Sequence, residues 1–372
     1  MRYEFVVIGG GVVGSATAWG LAGRGARVLV LERGTVACGA SGGPGKRGVR
    51  ANGRDIRELP LARQAYDIWP SLEETLKGDT GYERLGGLEV IAGDERAVGR
   101  LEARRRAQAA AGVPTRLVGA DELAELEPGI AAGSEARYAW YCPLDGIGDH
   151  TATTRAFADA AVRAGAELRE GTEARRVRSG TGGTVVETDA DEVTASRAVL
   201  VLNNSYAADL LDRSYGIGLP LWRMAPQMNF VRTAHGPRRL LGHDTRALAV
   251  KPLPDGTVMI SGGRLGRWDT AADRGEVVDD SFAGNLADAT AVLPGLADAE
   301  FVDSDASRPE SVSVDGVPVI DRLPVDGTVY VGAGWSGHGF AISPAVAANL
   351  VTWALSGVRP DVLAPFGLDR MP

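Results

Sequence analysis

Lysine is almost missing from this chain of 372 residues, in which only Lys46, Lys77 and Lys251 stand among 40 lysines and arginines. Chemistry that needs a side-chain amine must draw on those three positions. Cysteine is scarcer still. Cys38 and Cys142 are too few for a disulfide scaffold, and both are expected to be free thiols in a reducing compartment. The four histidines, His150, His235, His243 and His338, show no HExxH or other ligand spacing, so no metal site is expected. Positive charge is in deficit, with a formal net charge of -8 and a pI near 5.2. That leaves no basic footprint for nucleic acid or an anionic membrane. No stretch reads as a run of about 18 apolar residues. The first strand starts near Tyr3, so neither a membrane span nor a signal peptide is expected, and a cytoplasmic location follows. Tandem repeats are lacking, and low complexity is confined to short loops such as Ser179-Gly180-Thr181-Gly182-Gly183.

What is present is a hydrophobic content of 44%, enough for a large core in one large domain or two. The chain opens on Glu4-Phe5-Val6-Val7-Ile8, an apolar run of the kind found in a buried parallel strand. Gly9-Gly10-Gly11-Val12-Val13-Gly14 follows directly. A helix comes next, with Ala16, Ala18, Leu21 and Ala22 on one face and Gly23 and Gly25 at its end, and then a strand over 27–31 that finishes in Glu32-Arg33. Gly9 permits the tight turn, Gly11 lets backbone approach a pyrophosphate, and Gly14 allows close helix packing. The helix N-terminus favours the phosphate charge, and Glu32 can accept hydrogen bonds from ribose hydroxyls. This βαβ unit binds a dinucleotide. Alone it does not separate NAD from FAD.

Two further stretches bear on that choice. The loop Cys38-Gly39-Ala40-Ser41-Gly42-Gly43-Pro44-Gly45-Lys46-Arg47-Gly48-Val49-Arg50 is small and flexible, then abruptly cationic. Its amides and Ser41 can reach a pyrophosphate, and its arginines can meet an anionic flavin or a substrate carboxylate. Its Gly39-Ala40-Ser41-Gly42-Gly43 formally spells a hydrolase elbow, but it trails a nucleotide-binding strand, which is the wrong context. Near the C-terminus come Arg308-Pro309-Glu310, Asp315-Gly316-Val317-Pro318, a strand over 328–331 and the turn Gly337-His338-Gly339-Phe340. That turn enters a helix expected over 345–356, whose N-terminus can stabilise negative charge on a reduced flavin.

With these motifs the chain resembles the superfamily of FAD enzymes that contains D-amino acid oxidase, glycine oxidase and sarcosine oxidase. The resemblance runs nearly the full length and includes Ala40-Ser41-Gly42 and the segment from Asp145-Gly146 to Gly171-Thr172. It implies an α/β fold: a Rossmann-type FAD-binding domain with a parallel sheet, and a second substrate domain on a mixed or antiparallel sheet. The FAD domain would take residues 1–85, 145–215 and 305–372, with a helix over 151–164, a strand over 167–170 and a hairpin over 184–202. The substrate domain would take 86–144 and 216–304, with strands over 88–91, 228–231 and 257–261, and with Met228, Lys251, Arg264 and Leu265 lining the pocket. Non-covalent FAD is implied, held by Gly9, Gly11, Val12, Val13, Gly14, Glu32, Arg33, Ala40, Ser41, Gly42, Arg47, Gly48, Ala174, Gly337, His338, Gly339, Phe340, Ala341 and Ile342.

The implied activity is oxidation of a small amine or amino acid to an imine, by hydride transfer to the flavin, with oxygen or another acceptor taking the electrons. Arg308 matches the arginine that pairs a substrate carboxylate. Arg50 is a second candidate, and His338 stands beside the flavin. The alternatives are a FAD-dependent 2-hydroxy acid oxidoreductase and a flavin-binding subunit without turnover of its own. This chain departs from the sarcosine oxidases in several places. Ala341 replaces a substrate-holding lysine, no C-terminal cysteine can attach flavin, and Leu202-Asn203-Asn204-Ser205-Tyr206 replaces a glycine-containing turn. Met259 falls near the place of their oxygen-reacting lysine, with Lys251 several residues earlier.

Overall fold

The first apolar run forms the strand Arg2–Ile8, and in the computed structural model, which describes residues 2–43, 45–91, 95–130 and 136–371, it lies at the centre of a sheet. On one side it pairs in parallel with Val28–Leu31, which pairs with Glu167–Arg169. On the other it pairs in parallel with Glu192–Val201, which pairs with Val329–Ala333. Val319–Arg322 closes that edge antiparallel. Side chains alternate between the two faces as a strand requires. Phe5, Val7, Val28, Val30 and Leu200 join one core with the helices Val12–Ala22, His150–Arg163 and Gly339–Ser356. Val6, Ile8, Leu29, Leu31 and Val201 join another core, under the helix Ala207–Tyr215.

One expectation is met and extended here, and another needs correction. The hairpin expected over 184–202 is part of a three-stranded antiparallel meander, Ala174–Gly180, Gly183–Thr188 and Glu192–Val201, whose last strand runs on into the parallel sheet. The C-terminal helix starts at Gly339, six residues before the expected 345, and carries Pro344 inside it. Pro344 has no N–H to give to the carbonyl four residues back. The Ser343 hydroxyl supplies that donor to the Phe340 carbonyl at 2.9 Å. This helix also reaches the length and mean hydropathy, 1.3, of a membrane span, which the sequence reading did not anticipate, but 67% of it is buried inside the fold.

The second large sheet is mixed, in the order Glu300–Asp305, Met228–Arg232, Thr257–Gly262, Leu248–Pro252, Leu240–His243, Gly87–Ile91, Tyr138–Cys142 and Arg116–Val118. Only Leu240–His243 and Gly87–Ile91 run parallel. Val250, Val258 and Ile260 point to the core shared with the helix Asp279–Val292. The alternation turns Ala249, Lys251 and Ser261 to the opposite face, where the cleft described below lies. A short antiparallel pair, Lys46–Val49 with Gly146–Asp149, passes beside that cleft.

Candidate active site

A cleft of about 730 Å³ collects side chains from the glycine turn, the loop after Glu32, the second sheet and the C-terminal helix entrance. Its first wall is the end of the strand Arg2–Ile8. Gly9 has φ +112, and a Cβ there would meet the Leu202 carbonyl oxygen at 2.7 Å. A Cβ at Gly14 would stand 1.9 Å from the Gly9 carbonyl oxygen, so Gly14 serves helix packing and does not line the cleft. At Gly11 a Cβ would meet no protein atom within 4 Å, because that position opens onto the cleft. The helix that starts at Val12 has neither a side-chain cap nor an acid in its first turn, which leaves its N–H groups to an anion. The Glu32 carboxylate accepts the Gly10 N–H on Oε2 and the Gly34 N–H on Oε1, each at 2.8 Å. Fixed in this way, each oxygen keeps a lone pair for a ribose hydroxyl. The residues present therefore fit the diphosphate and adenosine half of FAD.

The loop after Glu32 is tied down by its own polar groups. The Ser41 hydroxyl donates to Glu310 Oε2 at 2.8 Å, and Asn204 Nδ2 donates to Glu310 Oε1 at 3.0 Å. Burial pushes the Glu310 carboxyl above its ordinary range. The half-buried Arg47 guanidinium donates to the carbonyls of Ser41, Gly43 and Lys46, and desolvation lowers its pKa to about 10. Arg33 stacks 3.6 Å from the Tyr206 ring centroid and pairs with Asp273 at 3.7 Å. Ala40, Gly48 and Ala174 border the cleft. Gly42 lies behind it, with its Cβ position against Met228.

At the other end, Trp335, Gly337, His338, Gly339 and Phe340 face the cleft. The helix Gly339–Ser356 begins there without a side-chain cap or a first-turn acid, a second place for negative charge. Ala341 and Ile342 are buried in that helix and do not reach the cleft, contrary to expectation. The helical path turns the Ala341 carbonyl to the Trp69 indole N–H at 2.8 Å. His338 Nδ1 lies 3.2 Å from Glu58 Oε2, and burial lowers the His338 pKa against the pull of that carboxylate.

Met228 and Lys251 line the cleft from the second sheet and Leu265 from the loop after the strand Thr257–Gly262, whereas Arg264, expected beside them, turns away to Asp288 at 3.8 Å. Arg308 reaches the cleft and is exposed there. Among the described residues it forms no ion pair, its neighbour Glu310 being held by Ser41 and Asn204. Arg50 lies 3.5 Å from Glu89. The sequence reading missed Arg54, four residues on, which is half-buried at the cleft with its Nε out of solvent, and desolvation lowers its pKa to about 10. It also missed Tyr206 and His150, the latter pushed down to about 4 by burial. The cationic spacing Arg47, Arg50, Arg54 was the available signal. Both cysteines are free thiols, Cys38 exposed and Cys142 buried.

The chain is 29% identical to a glycine oxidase of Geobacillus kaustophilus over 99% of this chain and 97% of that protein. It is 27% identical to a monomeric sarcosine oxidase of Streptomyces avermitilis over 99% and 98% of the two. The solved glycine oxidase from Geobacillus kaustophilus superposes with a TM-score of 0.86 at 27% identity, covering 100% of this chain and 99% of that one. The glycine turn, Glu32 and the cleft that joins them to the C-terminal helix lie within residues 4–353, which match the FAD dependent oxidoreductase family, and the chain belongs to that family.

Proposed function

We propose that this flavoprotein oxidises the C–N bond of a small amino acid whose carboxylate is held by Arg308. The observation that carries the reading is the exposed Arg308 guanidinium on the cleft wall, which pairs with no carboxylate of the described residues. A guanidinium stays charged and offers two parallel donors to a carboxylate. FAD, when bound, accepts the hydride from the substrate carbon and passes the electrons to oxygen or another acceptor. The chain's part is placement. Arg308 fixes one end of the substrate, and Met228, Leu265 and Phe340 exclude water around the reacting carbon. Loss of the hydride and of one proton from the amine leaves an imine. Water then converts it to a keto acid, or to an aldehyde where the oxidised carbon bears no carboxylate. The names of the similar proteins, glycine oxidase and sarcosine oxidase, support this class.

The test is anaerobic mixing of the FAD-loaded protein with panels of D- and L-amino acids, N-methyl amino acids and 2-hydroxy acids. Bleaching of the flavin band near about 450 nm by an amine panel is expected. Bleaching by 2-hydroxy acids alone, or by no panel, overturns the reading.

A further inference from the structure

Tyr206 ends the segment Leu202-Asn203-Asn204-Ser205-Tyr206, which stands where the sarcosine oxidases have a glycine-containing turn. Two guanidiniums approach its ring, Arg33 at 3.6 Å and Arg223 at 4.6 Å from the centroid. Arg223 is itself held by the Ser205 carbonyl, at 2.7 Å, and by Asp209. The Tyr206 hydroxyl donates to Asp273 Oδ2 at 3.1 Å, and the same oxygen pairs with Arg33 at 3.7 Å. Side chains from three separate elements therefore meet on the cleft wall. Arg33 follows Glu32 at the end of the strand Val28–Leu31, and Tyr206 precedes the helix Ala207–Tyr215. Asp273 belongs to the hairpin of Arg267–Asp269 with Arg274–Glu276, which comes after the second large sheet's strand Thr257–Gly262.

That hairpin has a fixed base and a lightly held tip. At the base the Gly266 N–H donates to the Ala225 carbonyl at 2.8 Å, and Gly275 is buried so closely that a Cβ would stand 1.9 Å from the Ala306 carbonyl oxygen. At the tip residues 270–274 are all exposed. Asp269 Oδ1 keeps their turn in shape by accepting the Ala271 and Ala272 N–H groups at 2.8 and 3.0 Å. Asp273 has φ +49, a conformation that aspartate tolerates better than most residues. Its carboxylate joins the tip to the wall through Arg33 and Tyr206, and the Arg33 and Asp273 side chains are 45% and 46% exposed. Polar contacts of that kind are individually weak and screened by salt. They suit a closure that opens and shuts more than one that holds the fold.

Glu32, Arg33, Thr172, Glu173 and Ala174 line the end of the cleft that fits the adenosine half of FAD. We infer that the hairpin is a latch over that end, with Asp273 as its catch and Arg33 and Tyr206 as its seat, and that its opening frees the cofactor. The latch acts on FAD alone, whatever the substrate.

The experiment follows FAD leaving the loaded enzyme, by the rise in flavin fluorescence after dilution, with no turnover involved. Asp273→Gly removes the catch and leaves a residue that adopts positive φ freely. Release about 5-fold or more faster is expected, the worth of one hydrogen bond to a charged group and one exposed ion pair. Tyr206→Phe keeps the ring beside Arg33, loses the hydroxyl and should speed release about 2-fold or more. Both changes break the same contact, so Tyr206→Phe should add nothing in an Asp273→Gly background. Added salt should speed release from the wild type more than from Asp273→Gly. Arg267→Gln breaks the pair with Glu276 inside the hairpin and should release FAD at the wild-type rate. Thermal melts of all the apoproteins should coincide. An Asp273→Gly enzyme with the wild-type rate and salt response, or effects that multiply in the double variant, overturns the latch. So does an Arg267→Gln enzyme that releases FAD as fast as Asp273→Gly, or a loss of apoprotein stability that tracks the faster release.

Discussion

Lys251 and Met259 face one another across two antiparallel strands, with Nζ 3.8 Å from Sδ. Eight positions apart along the chain, they become neighbours because the strands Leu248–Pro252 and Thr257–Gly262 fold back on each other. The resemblance to sarcosine oxidases placed a lysine near Met259, and the pairing supplies an amine beside that position from the adjoining strand.

That amine should report its burial through pH. The Lys251 pKa falls from 10.5 to about 7 in the fold, chiefly by burial. Between those values the unfolded chain holds a proton that the folded protein has released, so stability rises with pH across the window. Below about pH 7 the full penalty of a buried ammonium remains. Lys251→Met should therefore raise the melting temperature of the FAD-free protein at pH 6. The gain should shrink by about 1.4 kcal/mol per pH unit as pH climbs from 7 towards 9. Denaturant melts at pH 6, 7, 8 and 9 measure it, and a gain independent of pH would show that Lys251 is not buried as a charge.

Gly11 and Gly14 separate cofactor binding from folding. Gly11 has φ -74, which alanine adopts freely, and its Cβ would enter the cleft without touching protein. Gly11→Ala should leave stability within about 0.5 kcal/mol. It should weaken FAD at least about 10-fold by standing where backbone meets the diphosphate. Gly14→Ala puts a Cβ against the Gly9 carbonyl oxygen, so the turn itself must shift. A stability loss of about 1–3 kcal/mol or more is expected, with FAD binding lost in consequence. FAD titration and thermal melts of both apoproteins distinguish the two. Equal destabilisation would refute the assignment.

Reading the fold from sequence worked where periodicity and local chemistry agree. The strand Arg2–Ile8, the helix after Gly11 and the acid at Glu32 are all local patterns, and their places in the fold follow from them. It failed where one residue's partner decides the outcome. Pro344 reads as a helix start because it cannot donate an N–H, yet the Ser343 hydroxyl bonds the Phe340 carbonyl and the helix begins five residues before Pro344. Arg54 reads as an ordinary loop arginine. Only the packing of its loop near Glu58 and Glu89 makes it a half-buried cleft cation. Arg264 fails in the opposite sense, since Asp288 on the helix Asp279–Val292 draws it out of the cleft.

Arg308 and Glu310, two residues apart, should give opposite phenotypes. Glu310 is buried and accepts from the Ser41 hydroxyl, Asn204 Nδ2 and the Ser311 N–H. Glu310→Ala strips three donors of their acceptor at once, and a loss of about 2–4 kcal/mol in stability is expected. Arg308 is exposed and makes no ion pair among the described residues, so Arg308→Ala should change stability by less than about 0.5 kcal/mol. Its effect should fall on substrate. For carboxylated amines kcat/KM should drop about 100-fold or more, mostly through KM, because the lost contact exists before and during the reaction. Amines without a carboxylate should respond far less. Steady-state kinetics on a matched pair of substrates with and without the carboxylate, beside thermal melts of both variants, decide it. An Arg308→Ala enzyme with the same preference for carboxylated substrates would remove Arg308 from the binding site and leave Arg50 as the anchor.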